Sequence, residues 1–134
     1  MSCCSKEPKI LVCEASQTVV EVLLDRGNEP VCSCGKPMRE LKPNTSEGAS
    51  EKHLPVVEQE GNLVTVKVGS VYHPMSEEHQ IGWVGLLTNR GWQRVDLPHT
   101  AQPVASFALV EGDTPVAAYA WCNLHGFWKT DIEQ

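Results

Sequence analysis

Leu63-Val64-Thr65-Val66-Lys67-Val68, introduced by Glu60-Gly61-Asn62, decides the fold class of this chain. Apolar and polar residues alternate through it with a period of two, and its β-branched side chains suit a pleated, half-buried surface. The glycine and asparagine before it favour a tight reversal of the backbone. The same grammar recurs outward from this point, in Thr18 to Leu24, Ile81 to Thr88, Val104 to Val110 and Val116 to Trp121. Asn89-Arg90-Gly91 and Glu111-Gly112-Asp113 supply further turn signals, so several antiparallel hairpins are expected. No long amphipathic helix is evident, and short strands at this spacing predict an all-β chain built around a β-sandwich.

The chain has 134 residues, enough for one compact domain and a small companion. Leu41 to Ser50 is rich in Pro, Asn, Thr, Ser and Gly and has little to bury, so it reads as a connection. The boundary is placed near Pro43, giving a small unit over residues 1–42 and a sandwich over 43–134. About 40 residues hold themselves together poorly without a metal, a partner chain or a neighbour to dock on, which favours a homodimer.

Eleven Lys and Arg against seventeen Asp and Glu give a formal net charge of -6. That balance argues against a nucleic-acid partner, and it repels small anions unless a local cation reverses the field. Met1 to Lys9 is polar, the apolar stretch Ile10 to Val12 is short, and no run approaches a membrane span. The expected location is therefore cytoplasmic, where six cysteines suggest metal ligands or free thiols before disulfides.

Four of the five histidines stand in unusual contexts: Lys52-His53, Tyr72-His73-Pro74-Met75, Glu78-His79 and Cys122-Asn123-Leu124-His125. Each lies at or near a strand end, where a rigid sandwich can project side chains towards a common point. Cys122 and His125 could reach one ion from different directions across a turn. Imidazole with a single thiolate suits iron, copper or zinc, and five donors exceed the closed tetrahedron of structural zinc. His99 sits in a polar loop and reads as surface, while Trp83, Trp92, Trp121 and Trp128 read as packing.

The segments Glu51-Lys52-His53-Leu54-Pro55-Val56, Val68-Gly69-Ser70-Val71-Tyr72-His73-Pro74-Met75, Glu78-His79-Gln80-Ile81-Gly82-Trp83 and Cys122-Asn123-Leu124-His125-Gly126-Phe127-Trp128 resemble the signatures of superoxide reductases, the desulfoferrodoxin and neelaredoxin family. Val19 to Met38 is similar to the small desulforedoxin-like domain that precedes the catalytic one. The resemblance implies an immunoglobulin-like β-sandwich and a mononuclear non-haem iron, with His53, His73, His79 and His125 as equatorial ligands and Cys122 as axial thiolate. It implies an oxidoreductase that reduces superoxide to hydrogen peroxide without releasing oxygen, supplied with electrons by a rubredoxin-like donor. Glu51 and Lys52 match a mobile pair in the family, the lysine near the open iron position and the glutamate able to occupy it.

The chain departs from that pattern in its small unit. Desulfoferrodoxins hold a second iron there through Cys-x-x-Cys and two later adjacent cysteines. Here Cys13 is followed by Ser16, and Cys32-Ser33-Cys34 carries an inserted residue. Serine is a poor ligand beside thiolates, so a second cysteine-type iron is not expected, although Cys3 or Cys4 could replace the missing donor. A small iron protein that only transfers electrons, and a structural zinc protein built on these cysteines, are the rival readings.

Overall fold

The computed structural model describes residues 6–133, and these fall into two compact units, Glu7–Lys42 and the remainder from Pro43 onward. In the smaller, β1 (Lys9–Val12) lies between β2 (Val19–Val22) and β3 (Arg39–Glu40), antiparallel to both. Ile10, Leu11, Val12 and Cys13 are buried. Cys13 and Cys32 are joined by a disulfide, while Cys34 is a free, exposed thiol. The expectation that the cysteines serve as ligands or free thiols is corrected for this pair: two turns bring their Cα atoms to 5.5 Å, within bonding reach. Cys3 and Cys4 lie outside the described residues.

In the larger unit a four-residue helical turn, α1 (Ser50–His53), leads into β4 (Pro55–Glu60) and β5 (Leu63–Val68). Then follow β6 (Ile81–Thr88), β7 (Gly91–Asp96), β8 (Val104–Ala108), β9 (Pro115–Cys122) and β10 (Gly126–Asp131). One sheet has the order β10-β9-β6-β7 and the other β4-β5-β8, with antiparallel neighbours throughout. The alternation of β5 sets its register: Val64, Val66 and Val68 point inward and Leu63, Thr65 and Lys67 outward. The inward valines pack with Phe107 of β8 and with Val84, Leu86, Ala118 and Ala120 of the facing sheet, forming the sandwich core.

Two turn readings become hairpins, at Gly61-Asn62 between β4 and β5 and at Asn89-Arg90 between β6 and β7. Glu111-Gly112-Asp113 does not, because β8 and β9 belong to different sheets and this turn carries the chain across the sandwich. Among the described residues no helix is long and apolar enough to cross a membrane.

Candidate metal centre

All five donor residues singled out by the sequence meet at one end of the sandwich. His53 closes α1 two residues before β4, and His73 follows β5 in a loop. His79 stands two residues before β6, Cys122 ends β9, and His125 occupies the turn into β10. The register explains the meeting, since Pro55 pairs with Val68, Ile81 with Cys122 and Cys122 with Gly126. One donor atom from each of the five lies within 4.8 Å of the others.

Hydrogen bonds fix the state of two of these rings. The Nδ1 of His53 is 2.8 Å from the Ala49 carbonyl oxygen, and that of His73 is 2.7 Å from the Pro74 carbonyl oxygen. A carbonyl only accepts, so each Nδ1 carries the hydrogen and each Nε2 of the neutral ring is left with a bare lone pair. Those two lone pairs face each other at 3.2 Å. The Nδ1 of His125 is 3.1 Å from the Nε2 of His53, and the Sγ of Cys122 is 3.3 Å from the Nε2 of His73. The buried Nε2 of His79 has no hydrogen-bond partner at all.

The four rings stand edge to face in cyclic order, His53 to His73 to His79 to His125 and back to His53, with centroids 4.6–5.1 Å apart. Burial holds His53 and His79 below the usual imidazole range and His73 down to about 4, because a charged ring loses its hydration there. Burial also pushes the Cys122 thiol up, opposed by the backbone N–H groups of Leu124 and His125 that point at its sulfur. Converging, unprotonated nitrogens around a sulfur repel one another unless a cation sits among them. The donor chemistry fits a borderline transition-metal ion, and the two carbonyls that orient His53 and His73 are the usual support for ligating imidazoles.

Several supporting residues gave no signal in the sequence. Asn123 accepts from the Gln80 N–H at 2.9 Å and donates to the Glu78 carbonyl at 2.9 Å, tying the His79 loop to the Cys122 turn. Asn44 donates to the Lys129 carbonyl and accepts from its N–H, at 3.1 and 2.9 Å. The segment read as a mere connection is thereby laid along β10. Farther along it, a β-carbon on Gly48 would come 3.0 Å from His53 and 3.3 Å from His125 and crowd those rings, and the positive φ of 152° favours glycine there as well.

Of the tryptophans, Trp128 is buried, stacks on His53 at 4.7 Å and donates to the His125 carbonyl at 3.0 Å. Trp83 and Trp121 stack on each other instead, flanking residues of the core on neighbouring positions of β6 and β9. Period-two alternation puts them on the outer face of the sheet, where Trp83 packs against buried Phe127, so their packing lies there and outside the inner core. His99 is half-buried in the loop between β7 and β8, outside the cluster. Glu51 and Lys52 are exposed on α1 beside His53, and the Lys52 ammonium helps to lower the proton affinity of His53 and His79.

Residues 45–131, which contain every one of these donors, match the desulfoferrodoxin family profile. The chain belongs to the desulfoferrodoxin family. A desulfoferrodoxin from Syntrophotalea carbinolica is 44% identical over 92% of this chain and 95% of its own. Among solved structures, the superoxide reductase from Treponema pallidum superposes with a TM-score of 0.80 at 38% identity, covering 94% of this chain and 100% of that one. A shorter relative, the superoxide reductase (1Fe-SOR) from Giardia intestinalis, gives a TM-score of 0.53 at 31% identity, over 63% of this chain and 99% of that one. This chain brings its five-donor cluster together and lacks a fourth cysteine beside Cys13, Cys32 and Cys34 among the described residues.

Proposed function

We propose that this protein is a superoxide reductase, an oxidoreductase that takes superoxide as acceptor and yields hydrogen peroxide without releasing oxygen. His53, His73, His79, His125 and Cys122 would hold one mononuclear non-haem iron. The chemistry that iron supplies when bound is a single electron for superoxide. The observation that carries this reading is the convergence of bare imidazole nitrogens on one thiol sulfur, with an unpartnered His79 Nε2 among them.

The protein's own groups supply the rest. Lys52 places a positive charge beside the donor cluster on a chain of net charge -6, drawing in an anion that the overall field repels. Its ammonium is suited to deliver a proton to the departing peroxide. Glu51, one residue away, is the carboxylate able to approach the same position. The bonds from His53 and His73 to carbonyl oxygens hold those rings in a single tautomer, so their nitrogens stay aimed inward.

One iron per chain is proposed, not two. In the small unit Cys13 and Cys32 are bonded to each other, and the Ser16 hydroxyl donates to the Thr18 hydroxyl at 2.8 Å. A cytoplasmic location, a rubredoxin-like electron donor and a homodimer complete the reading. Mixing reduced, iron-counted protein with superoxide tests it: about one peroxide per iron, with no oxygen evolved, supports it. Oxidation of the iron without peroxide in that proportion points to a carrier of electrons only.

A further inference from the structure

The second cluster of reactive side chains in this molecule is made of sulfur, in the small unit. Cys13 sits in a turn closed by its own N–H to the Thr18 carbonyl at 2.9 Å and by the Gln17 N–H to its carbonyl at 2.7 Å. Cys32 sits in another, closed by its N–H to the Lys36 carbonyl and by the Gly35 N–H to its carbonyl, each at 2.8 Å. These turns bring the sulfurs of Cys13, Cys32 and Cys34 within 4.8 Å of one another.

Their accessibility is graded. Cys13 is 2% exposed and Cys32 8%, whereas Cys34 is open to solvent. Cys32 and Cys34 line a cavity of about 340 Å³ together with Glu14, Ala15, Lys36 and Pro37, and Cys13 does not. A buried disulfide with no thiol near it is inert to exchange. One with a free thiol within a few ångströms can change partners without any outside reagent.

We propose that Cys13, Cys32 and Cys34 form a thiol–disulfide exchange centre in which exposed Cys34 gives a dithiol protein access to the buried disulfide. In the first step the Cys34 thiolate attacks the Cys13 sulfur, the Cys13–Cys32 bond breaks, and Cys32 leaves as a thiolate that takes the proton Cys34 gave up. No electrons enter; the disulfide has moved to Cys13–Cys34 and now contains a surface sulfur. A thiolate of the partner then attacks Cys34, and Cys13 leaves and is protonated. The partner's second thiol attacks its own bridging sulfur and releases Cys34. In sum, two electrons and two protons pass from the partner dithiol, which ends as a disulfide, to a centre that ends with three thiols.

The test uses the full-length oxidised protein with thioredoxin, thioredoxin reductase and NADPH, followed by peptide mapping of alkylated cysteines. Cys34→Ser should slow reduction of the Cys13–Cys32 bond at least tenfold while the circular dichroism spectrum stays unchanged. Independently of that variant, thioredoxin lacking its second cysteine should become trapped on Cys34 of the wild-type protein. Equal reduction rates, a trapped adduct on Cys32, or no adduct at all would overturn the proposal. So would purified protein in which all three cysteines are thiols around a stoichiometric metal ion.

Discussion

The Nε2 atoms of His53 and His73 face each other at 3.2 Å with no hydrogen between them, because each ring has committed its hydrogen to a backbone carbonyl on the far side. This contact is unfavourable in the metal-free protein and favourable once a cation lies among the donors, so folding and metal binding are coupled. Stripping the metal with a chelator should lower the thermal midpoint by roughly 15 °C, since metal at a thousandfold excess over Kd contributes about 4 kcal/mol. Calorimetry of loaded and stripped protein measures it, and equal midpoints would show that the donors are held apart by other means.

Acid should destabilise the metal-free protein in a defined window. His73 has its folded value lowered by burial to about 4 from an ordinary 6.5, so between these values the unfolded chain binds more protons. Stability is therefore full above about 6.5 and falls as pH drops towards 4, with buried His53 and His79 adding in the same direction. Urea titrations of stripped protein at pH 7.5, 6 and 5 should give successively lower midpoints. A flat series contradicts the neutral-ring assignment.

Cys122→Ser removes the thiolate and leaves four imidazoles. Iron-loaded variant should lose the visible sulfur-to-iron absorption and be nearly colourless even when oxidised, because no other iron-bound sulfur is proposed in the chain. A persistent strong visible band, with close to two irons per wild-type chain, would place iron at Cys13, Cys32 and Cys34 as well.

Lys52 acts through charge and holds no metal, so Lys52→Ala should keep its iron and spectrum while reacting more slowly with superoxide. The difference should be about tenfold or more at low salt and shrink as added salt screens the field. Pulse radiolysis across a range of ionic strength reads it directly, and an unchanged rate at low salt would reduce Lys52 to a solvated surface charge.

Asn123→Ala breaks two hydrogen bonds that join the His79 and Cys122 segments. Lost stability of about 1–3 kcal/mol is expected, with iron affinity weakened by roughly 10–100-fold as for other groups that orient ligands. Metal competition titrations check this. Unaltered affinity would mean that the strand register alone places His79.

The donor residues were legible because their chemistry is carried by residue type, and because they stand in short motifs at strand ends. The frame that supports them was not. Asn44 and Asn123 act across 85 and 43 residues of chain respectively, and an asparagine in a loop looks the same whether it bonds solvent or a distant backbone group. Gly48 lies in what reads from sequence as a connection, for only the folded chain brings His53 and His125 against its α-carbon. Glu111-Gly112-Asp113 announced a turn without saying whether the next strand would stay in the same sheet.

By itself, then, the sequence pointed to five of the ten strands of the described residues, through period-two alternation, and singled out the five residues proposed as metal donors, through side-chain chemistry and motif; both are local properties. Only the tertiary structure decided which tryptophans face outward, which nitrogen of His53 and His73 is bare, and that Cys13 pairs with Cys32 while Cys34 stays free. Those outcomes depend on what a group meets in space: a carbonyl fixes a tautomer, a neighbouring sulfur fixes a bond, and a sheet face fixes burial.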